Sequence, residues 1–166
     1  MGVRTDDLGT AIVDPATPVI AGSVGEWRLT VTVGKHGLDD GGSIIVARRD
    51  VCDWEWPQFD RPHASGYVTV TTTGAARVRA SYDPARYVRP WRAALVIDVD
   101  DGALAEGDTV TIVFGDRAGG GPGMRAQTFA ETEFEFKVLV DAFGSGLYYE
   151  LPSSPVIAVI GGYPDA

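Results

Sequence analysis

Apolar and polar residues alternate with a period of two along most of this chain, and no segment of useful length carries a helical period. A strand puts successive side chains on opposite faces, so a period of two builds a surface that is buried on one side only. Trp27, Leu29, Val31 and Val33 alternate with Arg28, Thr30 and Thr32. Val68 and Val70 alternate with Thr69 and Thr71 across Tyr67 to Thr73. After a break at Gly74, Val78, Ala80 and Tyr82 share a face, and the two runs read as a hairpin. Ser43 to Ala47 and Arg92 to Val99 read as further strands, the second ending in the turn Asp100-Asp101-Gly102. Val110, Ile112 and Phe114 point inward from Thr109 to Phe114, as do Phe134, Phe136, Val138 and Val140 from a later run, and Pro155 to Ile160 is a last apolar strand. Many short strands separated by turn residues predict an all-β fold, a β-sandwich of roughly eight to ten strands, immunoglobulin-like or jelly-roll-like. A chain of 166 residues fits one such domain. The expected limits are an N-terminal extension over 1–21, a sandwich over 22–162 and a linker-like tail over 163–166.

Two stretches lack a strand pattern, Arg48 to Gly66 and Gly115 to Glu131. Connections this long are uncommon in compact domains and often carry function. The first contains Trp54, Trp56 and Gln58; an extended backbone would place both tryptophans on one side, where they could stack on sugar rings, anchor an interface or close the end of the core. The second runs Phe114-Gly115-Asp116-Arg117-Ala118-Gly119-Gly120-Gly121-Pro122-Gly123-Met124-Arg125-Ala126-Gln127. Its glycines permit close approach, but a nucleotide-cradling loop needs Gly-Lys-Ser/Thr and a following helix, and neither is present. The candidate ligand or interface residues are therefore Trp54, Trp56, Gln58, Asp116, Arg117, Arg125 and Gln127. Trp91, between Arg89-Pro90 and Arg92, invites cation–π stacking with a structural role.

Catalytic signatures are weak, and no catalytic residue is assigned. Cys52 and His63 form a nucleophile pair only if the fold joins them. Glu131, Glu133 and Glu135 alternate, as solvated strand faces do, although paired acids also serve glycoside hydrolysis. His36 and His63 are the only histidines and Cys52 the only cysteine, so no zinc spacing exists, and no metal or cofactor is expected. Asp98-Val99-Asp100-Asp101-Gly102 misplaces the glycine of a calcium loop and lacks its closing glutamate, and a turn is the better reading. A lone cysteine rules out an intramolecular disulfide. The formal net charge of −9 repels phosphate backbones and argues against nucleic acid as partner. No apolar run approaches a membrane span, and Met1 to Asp7 shows no basic-then-apolar leader, which favours a cytoplasmic location unless a leader has been removed.

Several short stretches together resemble a known family: Gly22-Ser23-Val24-Gly25-Glu26-Trp27, Val33-Gly34-Lys35-His36-Gly37-Leu38-Asp39-Asp40-Gly41-Gly42, Trp56-Pro57-Gln58, Leu104-Ala105-Glu106-Gly107-Asp108 and the glycine loop from Gly115-Asp116. The series is similar to the N-terminal β-domain of a bacterial family of unknown function whose longer members carry a C-terminal metallohydrolase domain related to the PHP phosphoesterases. The resemblance implies a non-catalytic accessory module that packs on, or presents substrate to, a catalytic domain or other protein. Any metal ligands would belong to that later domain. The alternatives are a carbohydrate-binding module using Trp54 and Trp56, and a stand-alone hydrolase.

Overall fold

The computed structural model describes residues 4–49, 52–88, 91–152 and 154–161; the side chains of 85–88, 91 and 92 are outside the description. The protein is an all-β sandwich. One layer is a four-stranded antiparallel sheet with strand order β1 (Gly9–Asp14), β4 (Trp27–Val33), β9 (Thr109–Phe114), β6 (Val68–Thr72). The other is a five-stranded antiparallel sheet with order β13 (Tyr149–Glu150), β12 (Lys137–Asp141), β5 (Ser43–Arg49), β8 (Trp91–Asp100), β7 (Arg77–Val88). Two small sheets complete the fold. They are β10 (Met124–Arg125) with β3 (Val24–Gly25), and β11 (Glu131–Glu135), β14 (Val156–Ile160), β2 (Val19–Ile20).

The core lies between the layers. Trp27, Leu29, Val31 and Val33 of β4 and Val110, Ile112 and Phe114 of β9 meet Ile44 and Val46 of β5, Leu95, Ile97 and Val99 of β8, and Val138 and Val140 of β12. These are the inward rows that the alternation predicts. The five-stranded sheet is also apolar on its outer face, where Ile45, Ala47, Ala94, Val96 and Leu139 form a second buried cluster with Tyr148 against it. Strands buried on both faces lose the alternating pattern, which is why Ser43 to Ala47 reads as a plain apolar run.

Three expectations need correction. The described part of the expected N-terminal extension, 4–21, contributes strands to the sheets. Gly9–Asp14 pairs residue for residue with Arg28–Val33, and Val19–Ile20 runs parallel to the end of β14. The runs 67–73 and 77–82 are not a hairpin: β6 belongs to the four-stranded sheet and β7 to the five-stranded one. Gly74 sits at this crossing, where an added Cβ would lie 2.4 Å from Leu104 Cδ2 and 2.5 Å from the Asp108 carboxylate, so a larger residue there requires those two side chains to shift. The third is the run through Phe134 and Val140, which breaks at Phe136, whose N–H bonds Pro155 O; its two halves lie in different sheets. An unbroken period of two reports the buried face and says nothing of which neighbour each half pairs with. The tail 163–166 lies outside the described residues.

Candidate functional site

The two long loops meet at one end of the sandwich and are tied together. Glu55 N–H donates to Arg125 O at 3.0 Å, and Arg125 N–H returns a bond to the Glu55 carboxylate at 2.8 Å. Gly66 N–H bonds Gly123 O, Ser65 Oγ also reaches the Glu55 carboxylate, and the N–H of Thr128 bonds the Asp53 carboxylate at 2.8 Å. Burial works against ionisation of Asp53, but the two Thr128 donors and the Arg125 charge outweigh it and hold its carboxyl below the usual range.

The glycine loop owes its shape to close backbone approach. Gly115, at φ +75°, has Met124 N and Gly25 O 2.5 and 2.6 Å from where a Cβ would stand. No other residue fits there without moving backbone on both sides. Asp116 accepts from Thr69 Oγ1 at 2.6 Å and from Ala118 N–H at 2.8 Å. Arg117 donates from its side chain to Pro122 O and Val24 O, and its own N–H bonds Glu26. Gln127 is fully buried, with Nε2 donating to Phe129 O and the Glu131 carboxylate. In the first loop, Gln58 accepts from the N–H groups of Asp60 and Arg61 and donates to Arg61 O and Ser65 O. Asp116, Arg117 and Gln58 thus direct their polar atoms to the loops' own architecture, as does Gln127 Nε2, while the buried Gln127 Oε1 has no hydrogen-bond partner among the described residues. Arg125 has an exposed side chain.

The tryptophans part company. Trp54 is 3% exposed and closes the end of the core against Trp27, Phe134 and Phe136, with ring centroids at 4.9, 4.6 and 5.9 Å. Trp56 is 61% exposed and rests on Tyr82 of β7 at 5.6 Å. The two do not form one exposed aromatic face, because Trp54 packs into the core while Trp56 stays on the surface of a loop tied to Arg125.

Two residues that sequence reasoning passed over complete the site, Arg48 and Tyr82. Both continue inward rows, Ile44-Val46-Arg48 and Val78-Ala80-Tyr82, past the point where the apolar interior ends. Arg48 Nη1 donates to Trp54 O, and Nη2 donates to the Tyr82 hydroxyl at 2.7 Å, with the guanidinium 6.0 Å from the Tyr82 ring centroid. Burial pushes the Tyr82 phenol up, and Arg48 opposes it. Opposite Arg48, β8 carries a bulge that sets Ala93 at φ +59°, a left-handed conformation uncommon for alanine. Beneath these residues is an apolar cavity of about 30 Å³, bordered by Val46, Leu95, Phe114, Met124 and Phe136. That volume holds a water or a methyl-sized group, not a ligand of appreciable size.

The weaker chemical candidates are also placed. Cys52 is half-buried, its thiol pushed up by burial against the pull of Arg48, and its Sγ accepts from Trp54 N–H; His63 is exposed and makes no bond to it. Glu131 is engaged by Gln127, and Glu135 by Lys137 at 3.0 Å. Asp100 and Asp101 pair with Arg79 and Arg77. Among the described residues no three His, Cys, Asp or Glu side chains gather closely enough to hold a metal ion, and no helix is long and apolar enough to cross a membrane. The Trp91 side chain and Arg89-Pro90 lie outside the described residues.

No family model matches the chain, and no curated protein matches it. Among solved structures it is similar to the CBM3a-L domain with flanking linkers from scaffoldin cipA of the Clostridium thermocellum cellulosome, at 14% identity over 94% of this chain and 98% of that one, with a TM-score of 0.45. It is similar at 12% identity, over 96% of this chain and 92% of the other, to AvmM, which catalyses macrocyclization in alchivemycin A biosynthesis, again with a TM-score of 0.45. Neither likeness bears on what this chain does.

Proposed function

We propose that this chain is a non-catalytic recognition module that binds a saccharide at the loop end of the sandwich. The observation that carries the reading is Trp56, a large aromatic face left to solvent on a loop pinned by backbone hydrogen bonds and backed by Tyr82. A rigid exposed indole stacks on the apolar face of a sugar ring at little entropic cost. Polar groups stand around it, and the acids and thiol nearby are committed to structural bonds or to burial, which supports binding over turnover. The wild-type chain should be retained on at least one insoluble polysaccharide from a panel of cellulose, chitin, xylan and starch, and Trp56→Ala should lose that retention while melting within roughly 4 °C of the wild type. Equal retention of the variant would sink the reading, as would failure of the wild type to bind any polysaccharide, neutral or acidic.

A second reading has its own observation. The outer face of the β14–β2 sheet exposes Ile20, Val156 and Ile160, with Ile20 and Ile160 paired in register. An apolar face of this kind suits the docking of a partner domain, which the family resemblance implies to be a hydrolase. On this reading Ile160→Lys weakens association with such a domain supplied in trans and leaves polysaccharide retention intact; unchanged association would remove it.

A further inference from the structure

Resting on the saccharide reading, we infer that the sugar bound at Trp56 is acidic, and that Arg48 receives its anionic group, a carboxylate or a sulfate. Arg48 is half-buried at the mouth of an apolar cavity. Its only partners are neutral oxygens, Trp54 O and the Tyr82 hydroxyl, and among the described residues no carboxylate lies within ion-pairing distance. A guanidinium has five N–H donors, so these two bonds leave donors free. A partly desolvated cation without an anion is an unfavourable arrangement that an incoming carboxylate or sulfate relieves, through charge-assisted and often bidentate bonds.

The described acids near it are accounted for. Glu55 lines the same cavity, but its carboxylate is held by Ser65 Oγ and Arg125 N–H. Asp53 is held by Thr128. Asp83 follows Tyr82 and is exposed, with a partner of its own. In sequence, Arg48 and Arg49 are adjacent and the run 84–92 holds Arg86, Arg89 and Arg92 with no acid, in a chain whose net charge is −9; the backbone register pairs Arg92 with Arg48. The geometry joins the two contacts, because Trp56 and Arg48 lie against the same Tyr82 ring, at 5.6 and 6.0 Å from its centroid. One ligand can therefore present a sugar face to the indole and an anionic substituent to the guanidinium.

The test compares matched polymers on the whole chain by affinity electrophoresis and calorimetry. The uronate pair is polygalacturonate against its fully methyl-esterified form; the sulfate pair is dextran sulfate against dextran. The expected result is at least about tenfold tighter binding to one acidic member than to its neutral partner, weakening with salt. Arg48→Gln should remove that preference and keep the weaker neutral binding, while Trp56→Ala should lose both. Preference within the uronate pair assigns a carboxylate, and within the sulfate pair a sulfate. Equal binding of acidic and neutral members overturns this inference and leaves the saccharide reading standing. Binding to none of the four polymers or the insoluble panel overturns both. The wild-type comparison decides whether the ligand is acidic without any variant, and if Arg48→Gln fails to fold, Arg48→Lys, which keeps the charge but not the forked donors, should weaken the preference and tests the residue.

Discussion

Truncating Trp54 should cost the fold far more than truncating Trp56, although the two residues are separated by only one position. Trp54 is 3% exposed and touches three aromatic rings across the end of the core. Replacing a buried tryptophan by alanine loses its transfer free energy and leaves a cavity, together about 3–5 kcal/mol. In a domain of this size each kcal/mol moves the midpoint by roughly 2–4 °C, so Trp54→Ala should melt roughly 6–20 °C below the wild type. Trp56 is mostly in water and gives up little beyond one ring contact with Tyr82, about 1 kcal/mol or less and a shift of no more than roughly 4 °C. Calorimetry and urea titration measure both. The Trp54 site also adjoins the small apolar cavity, so truncation should open a dry void, and added indole should raise the midpoint of Trp54→Ala but not of Trp56→Ala. The reasoning is refuted if Trp54→Ala loses less than about 1 kcal/mol, or if the two variants lose the same.

Further predictions follow from the loops and the thiol. Gln58→Ala removes bonds to two N–H groups and two carbonyls of its own loop; it should cost about 1–2 kcal/mol and speed amide exchange at Asp60 and Arg61, measured by NMR. Gly115→Ala meets backbone on two sides at positive φ and should cost at least about 2 kcal/mol, read by urea titration, whereas Gly120→Ala, at φ +94° with open space around it, should cost about 1 kcal/mol of backbone strain alone. Burial raises the Cys52 thiol, so folding favours its neutral form. That contribution is present below the ordinary thiol range and is lost as pH rises through it toward the higher folded value. Iodoacetamide at pH about 8.5 should therefore label the folded chain more slowly than the urea-unfolded one, and equal rates would contradict the assignment.

The sequence carried the sandwich because half-buried strands leave a period of two, which β4 shows along its whole length and β9 shows as far as Ile112. It did not carry the pairing. β6 and β7 have hairpin-like sequences, yet the crossing at Gly74 is set by Leu104 and Asp108, residues thirty positions away that no local pattern names. Among the candidate site residues, Gln58, Asp116, Arg117 and Gln127 stood out for polar chemistry in long loops. That same chemistry is what loops without regular structure need to satisfy their own backbone, and there most of it is spent.

The residues that sequence reasoning passed over follow a rule that is visible in hindsight. An inward row of a sandwich strand that ends on a charged or hydroxylated side chain must deliver that group to the rim of the core, where burying it fully is unfavourable and exposing it fully wastes the row's direction. Ile44-Val46-Arg48 and Val78-Ala80-Tyr82 are two such rows in one sheet, joined through β8, and their terminal residues bond each other at 2.7 Å. A single row of this kind ends in a snorkelling side chain. Two rows converging under an exposed tryptophan make a half-dry polar step beside an aromatic face, and the proposed saccharide site rests on that combination rather than on the glycine loop that dominates the sequence.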